Sequence, residues 1–192
     1  MFTKKTKIAS THQRVRFLRL GAVLLLPFLL GAGAEQRESE KDTTAILQAG
    51  YIYNISKLVQ WKDPAMQEGN FIIGVVGSAN LYQELIRKYA NRMIGRQPIE
   101  VRKLGRTTDP ERCHILFVSR AEATLIPQVR KKAQEQGILL ITEYPDALED
   151  GAIVNFVKVE NTLRYELSVA NARKQRIEVA QTLKNLAYRT EE

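Results

Sequence analysis

The stretch CHILFVSRAEATLIPQVRKKAQEQGILLIT, residues 113–142, decides the fold. His114–Ser119 is a short apolar run, the mark of a strand covered on both faces. Ala123–Glu135 follows with helical character and stops at Gly137, a residue suited to the left-handed turn beyond a helix. Ile138–Thr142 is a second covered strand. Strands that alternate with helices in this way place the chain in the α/β class, with parallel pairing at the centre of the sheet.

The pattern continues upstream. Phe71–Val76 reads as a strand between Asn70 and Gly77. Leu81–Met93 is an amphipathic helix with Leu81, Leu85, Tyr89 and Met93 at i+4 spacing, ended by Gly95. Ile99–Leu104 is strand-like, and Gly105–Arg112 is a polar loop. The segment from Thr44 to Trp61 predicts a helix. Ile46, Ala49, Tyr53 and Val59 lie near one face, which Ile52, Ile55 and Leu58 widen. Thr43 or Thr44 serves as its cap, and Asp63-Pro64 stops it.

Downstream, Asp146–Gly151 is an acidic loop. Ala152–Val159 and Leu163–Val169 predict a β-hairpin around Glu160-Asn161-Thr162. Ala170–Tyr188 predicts a last helix with Ile177, Ala180, Leu183 and Ala187 inward. The expected fold is a single-domain α/β sandwich over residues 44–190. Its central sheet is mixed and mostly parallel, flanked by helices.

The chain has 192 residues, 44% apolar and 26% charged, with one cysteine and a net charge of +8. This is ordinary globular composition. The basic excess is not spread evenly. Residues 1–34 hold Lys4, Lys5, Lys7, Arg14, Arg16 and Arg19 and no acid, leaving 23 basic and 21 acidic side chains in 35–192. A protein that follows a phosphate backbone carries its charge on the folded domain, so no nucleic-acid partner is expected.

Residues 1–34 have the layout of a signal peptide. A basic stretch ends at Arg19, an apolar run spans Leu20–Gly33, and Ala32-Gly33-Ala34 supplies the small residues a signal peptidase reads. Cleavage is expected after Ala34, with 35–43 (EQRESEKDT) as a flexible leader. In a bacterium with two membranes the mature protein is then periplasmic. The lone Cys113 excludes an internal disulfide framework and reads as a buried, inert thiol.

Catalytic chemistry is sparse. The histidines are His12 and His114. His12 departs with the signal peptide, and no metal or cofactor set remains. Cys113 and His114 are adjacent on a strand and point to opposite faces, which defeats a nucleophile–base pair. No enzymatic activity is expected. Gly77-Ser78 closes a strand ahead of a helix, the place where such folds bind small anions, although a simple tight turn also explains it. Asp146, Glu149 and Asp150 read as a solvated loop. Arg164 and Glu166 are two apart on a strand and share a face, fitting a cross-strand ion pair or a partner-facing patch.

Two stretches carry a resemblance. AILQAGYIYNISKLVQW (45–61) is similar to the opening helix of the YfiR-like family, through Ala49, Tyr51, Tyr53, Asn54, Lys57 and Trp61. GAIVNFVKVENTLRYELSVANARKQRIEVAQTLKNLA (151–187) resembles its closing region. There Gly151, Ile153, Phe156, Arg164, Tyr165, Glu166, Arg173, Leu183, Leu186 and Ala187 fall on the family pattern. The central PIEVRKLGRTTDPERCHILFVS (98–119) fits as well. Departures are Gln48, Ile55, Ser168 and Ala180-Gln181. The strand 71–75 also lacks the cysteine that the family often pairs with the central one.

The resemblance implies a periplasmic regulator that represses an inner-membrane diguanylate cyclase by binding its periplasmic sensor domain. It implies control of cyclic di-GMP, biofilm formation and motility. An outer-membrane lipoprotein that sequesters the repressor, and homodimerisation, follow from the same resemblance. Arg164, Glu166, Tyr51, Tyr53 and Trp61 are the candidate partner-binding residues. The alternative is a periplasmic sensor with a small-ligand pocket at Gly77 and Ser78, coupled to a histidine kinase or another receptor. No cofactor is implied by either reading.

Overall fold

The computed structural model describes the backbone of residues 26–192, and side chains from residue 40 onward except Lys41. Residues 1–25, which hold most of the expected signal peptide, and the side chains around Ala34 lie outside the described residues. Lys41–Glu192 form one compact unit.

An eight-stranded sheet forms the middle layer, in the spatial order β10-β8-β7-β6-β5-β2-β4-β3. The strands are β2 (Phe71–Val76), β3 (Met93–Ile94), β4 (Gln97–Leu104), β5 (Ile115–Val118), β6 (Leu139–Thr142), β7 (Val154–Val159), β8 (Thr162–Ser168) and β10 (Arg189–Glu191). β4, β2, β5, β6 and β7 run parallel. β8 returns antiparallel to β7, and β10 pairs parallel with β8. The expected mixed, mostly parallel α/β sheet is therefore what the chain forms.

Alternation along the strands builds two cores. Ile73, Val75, Ile115, Phe117, Leu139, Ile141, Phe156, Tyr165 and Leu167 face one side. There they meet Ala45, Ala49, Ile52 and Ile55 of α1 (Leu26–Ser56) and Leu81 and Leu85 of α2 (Ala79–Tyr89). Ile72, Val76, Leu116, Val118 and Leu140 face the other side, against Ile126 and Ala133 of α3 (Ile126–Gln136). Gly137 caps α3 at φ 67, as its position predicts. The β7–β8 hairpin turns on Glu160 and Asn161, both at positive φ (47 and 63), the signature of a two-residue primed turn.

Both boundaries of α1 differ from the sequence reading. Helical backbone runs through 35–43, whose Glu, Gln, Arg and Lys content is compatible with helix despite its charge. At its other end α1 stops at Ser56, and Val59–Trp61 form β1 instead of a last helical turn. β1 pairs antiparallel with β9 (Ile177–Val179) in a separate two-stranded sheet. The inner face of α1 accordingly runs through Ala45, Gln48, Ala49, Ile52, Ile55 and Ser56, and Ile46 is exposed.

The single closing helix is the largest correction. The region holds α4 (Val169–Lys174), β9, α5 (Gln181–Leu186) and β10. Arg176 sits at φ 59 and breaks the helix, and β-branched Ile177 and Val179 then take the strand. α2 likewise ends at Tyr89. Met93-Ile94 form a short strand, and Gly95 (φ 58) turns the β3–β4 hairpin instead of capping α2.

Candidate functional site

The register of the sheet lines up four polar side chains on one face. Thr142 faces Asn155, Asn155 faces Glu166, and Glu166 faces Arg189, across β6, β7, β8 and β10. Thr142 Oγ1 donates to Asn155 Oδ1 at 3.0 Å, and the Tyr144 N–H donates to the same oxygen at 3.1 Å. Asn155 Nδ2 donates to Glu166 Oε2 at 3.0 Å. Arg189 Nε lies 3.0 Å from Glu166 Oε1. Asn155 is fully buried and its polar atoms are used on both sides, so it fixes the Glu166 carboxylate in place.

Arg164 stands two residues earlier on β8, opposite Val157. The expected Arg164–Glu166 pair therefore shares a strand face, and Glu166 takes its charge partner from Arg189. Arg164 is exposed and has no hydrogen-bond or ion-pair partner among the described residues. Tyr165, between them, points into the core. Its hydroxyl donates to the Leu183 carbonyl at 2.6 Å, and burial pushes its pKa up to about 12.

Beside this row the sheet opens. β6 and β7 share only two paired positions, because the chain leaves β6 at Glu143 while β7 runs on to Val159. The gap is a cavity of about 490 Å³ between the loop 143–146, the free edge of β7, and Thr44 and Gln48 of α1. Gln48 Nε2 donates to Glu143 Oε2 at 2.7 Å, and Glu143 Oε1 accepts from the Arg120 N–H at 3.3 Å. The buried Gln48 thus closes the inner wall of the cleft.

The aromatic candidates fall in three places. Tyr51 packs its ring on Phe156 and Tyr165, and its hydroxyl donates to the Leu163 carbonyl at 3.1 Å. It supports the back of β8. Tyr53 stacks on Tyr89 with centroids 4.4 Å apart, and Lys57 Nζ lies 4.4 Å from the Tyr53 ring centre. Trp61 stands on β1, not on the first helix. It is buried, and its indole Nε1–H donates to the Gly137 carbonyl at 2.8 Å. The structure brings Tyr51, Arg164 and Glu166 together across β8 and leaves Tyr53 and Trp61 elsewhere.

Gly77 and Ser78 stand at the C-terminal end of β2. Ser78 Oγ accepts from the Leu81 N–H at 3.4 Å and caps α2. Gly77 has φ 79, and a Cβ there would overlap Ser119 Oγ and come 2.6 Å from Glu122 Cγ. The Glu122 carboxylate lies 3.3 Å from Arg106. Neither Gly77 nor Ser78 lines the cleft beside β7, or the cavities around His114 and Arg176.

Cys113 and His114 point to opposite faces, as adjacent strand residues must. Cys113 is buried beside Gly74 and Leu116, and burial raises its thiol pKa to about 11. His114 is 2% exposed and stacks on Phe71. Its Nδ1 accepts from the Ile72 N–H at 3.0 Å, which leaves Nε2 to donate to the Met66 carbonyl at 2.6 Å. Both ring nitrogens are committed to the backbone. Burial lowers the pKa of His114, and the bond to Met66 partly opposes that shift. No metal-binding group of His, Cys, Asp and Glu occurs among the described residues. In the acidic loop, Asp150 accepts from the Tyr144 hydroxyl at 3.0 Å, while Asp146 and Glu149 are exposed.

The sequence profile of the YfiR/HmsC-like family matches residues 45–188. The chain belongs to that family. It is a regulatory, non-catalytic family of periplasmic proteins, associated with diguanylate cyclase signalling. No curated protein matches the chain. Among solved structures, a conserved domain protein from Vibrio cholerae O1 biovar El Tor strain N16961 is similar at 13% identity and a TM-score of 0.49. The match covers 62% of this chain and 54% of that one. No helix among the described residues is long and apolar enough to cross a membrane.

Asn155, Thr142 and Arg189 were not singled out by the sequence. Asn155 had a signal: it interrupts the apolar run Ile153-Val154-Asn155-Phe156-Val157. A polar residue in a covered strand needs a partner. Arg189 had none, because its place depends on β10 reaching β8.

Proposed function

We propose that this YfiR/HmsC-like protein is a periplasmic repressor that binds the periplasmic sensor domain of an inner-membrane diguanylate cyclase. The contact face is the outer side of β7, β8 and β10, centred on Arg164 and Glu166. The observation that carries this reading is the contrast between them. Glu166 is held by Asn155 and Arg189, while Arg164 stands beside it exposed and uncommitted among the described residues. A rigid carboxylate next to an available guanidinium suits recognition of a polar partner surface.

Binding alone represses nothing. The protein must hold the inactive state of the cyclase more tightly than the active one. Family membership supports the class of partner, and the open strand face supports the place. Sequestration by an outer-membrane lipoprotein would compete for the free repressor. Homodimerisation would have to leave β8 accessible.

The test is intracellular cyclic di-GMP in a deletion strain. Complementation uses the full chain, residues 35–192 without the signal segment, and the full chain carrying Arg164→Ala. Deletion should raise cyclic di-GMP, and only the exported wild type should restore it. Arg164→Ala should stay within about 0.5 kcal/mol of wild-type stability, as an exposed substitution does, yet fail to repress. Full repression by a stably folded Arg164→Ala protein would remove Arg164 from the interface.

A further inference from the structure

We propose a binding site for a small multivalent oxyanion, a polycarboxylate or a phosphate, in the open cavity between α4, β9 and α5. The cavity has a volume of about 400 Å³. Four cations from separate elements converge on it: Lys62 just after β1, Arg173 on α4, Arg176 in the turn before β9, and Lys184 on α5. Glu178 is the acid in its wall, and it is taken by Lys62 at 2.9 Å. The remaining three cations face one further side-chain carboxylate, Glu192, so positive charge stays in excess at the cavity, whereas residues 35–192 as a whole are close to neutral.

Two details point to a ligand. The Lys184 side chain is only 21% exposed, yet its nearest carboxylate, Glu192 Oε1, is 3.7 Å away, beyond hydrogen-bond reach. Glu192 Oε2 lies 3.4 Å from Arg173 NH2. The chain's own side-chain carboxylate therefore marks where an anion rests, and holds the position loosely. The second detail is Arg176. It occupies the left-handed region at φ 59, where Gly or Asn is the undemanding choice. Its guanidinium donates one bond to the Glu135 carbonyl at 3.4 Å, in the last turn of α3, and the rest of its N–H donors stand in the cavity wall, so the strained position carries a cation with donors to spare. The apolar part of the wall, Val169, Ile177 and Val179, excludes water from one side and strengthens the pull of the cations.

The experiment is calorimetric titration of protein purified from cells expressing the full chain, with citrate and with inorganic phosphate as separate probes. At least one should bind saturably with one site per chain, more weakly at higher salt. Lys184→Gln and Arg176→Asn should each lower affinity by about tenfold or more, the scale of a lost hydrogen bond to a charged group. Glu192→Gln should raise affinity, because it removes the competing carboxylate. Arg176→Asn should leave the melting temperature unchanged or higher while it impairs binding, which separates a ligand role from a structural one. Binding of citrate alone assigns a polycarboxylate, and binding of phosphate alone assigns a phosphate group. No saturable binding of either probe, or binding unchanged in both cation variants, overturns the site. Unchanged or weaker binding in Glu192→Gln overturns the competing role of that carboxylate.

Discussion

Acidification should destabilise this protein through one side chain. A chain beginning at Glu35 carries His114 as its single histidine, since the other is His12. His114 is held neutral: Nδ1 accepts from Ile72, and protonation would set a second N–H against that donor. Its folded pKa is lowered, so between that value and the unfolded value of about 6.5 the unfolded chain binds the extra proton. Stability is then complete above about pH 6.5 and falls as the pH drops below it. While the folded form stays neutral, the loss at pH 5.5 is about 1.4 kcal/mol, one decade of the folding constant. Glu84 and Glu100 are held below the usual carboxylate range by hydrogen bonds from Arg87 and Arg102, and titrate further down. The assay is urea unfolding at pH 7.5, 6.5 and 5.5, for wild type and His114→Asn. The variant retains an acceptor near Ile72 and loses the donor to Met66. It should be less stable at pH 7.5 by about 1–3 kcal/mol, yet flat with pH. A wild type that is equally flat, or a variant that keeps the wild-type slope, would refute the reasoning.

Three other perturbations test the packing. Gly77→Ala should cost about 2–4 kcal/mol, since it combines a left-handed φ with overlap on Ser119 and Glu122; a denaturation midpoint equal to wild type would contradict this. Trp61→Phe removes the donor to the buried Gly137 carbonyl and should cost about 1–3 kcal/mol by the same measurement, with little change in the m-value. Cys113, buried with its thiol pKa raised to about 11, should react with an aromatic disulfide reagent only as fast as the protein opens. Stoichiometric labelling of the native protein within the mixing time would disprove that.

What the sequence revealed and what it hid divide along contact range. The strands β2, β5 and β6 were legible because a strand covered on both faces must be apolar at every position. Gly137 and Asn161 were legible because each serves a left-handed turn set by its immediate neighbours. The closing region was not. Ile177, Ala180, Leu183 and Ala187 repeat at near-helical spacing, and nothing local shows that Ile177 and Val179 belong to a strand. That strand exists because Val59 and Trp61 wait opposite it, far away in the chain. The same holds for Gln48, a buried polar residue whose partner, Glu143, is 95 positions later. In the candidate site, Arg164 and Glu166 were legible from strand alternation. Arg189 was not, because its position is set by the parallel pairing of β10 with β8.

The union of β1 with β9 has a kinetic meaning. Together with the Tyr51 bond to Leu163, 112 positions away, it fastens the beginning of the domain to its end. Such closures carry a large loop entropy, and topologies dominated by distant contacts fold slowly. Until the closing residues have been made, α1 lacks the β8 surface it covers and β1 lacks its strand partner. The polypeptide therefore stays open during synthesis and locks when its final strands arrive. That delay is compatible with the export that the proposed periplasmic role requires.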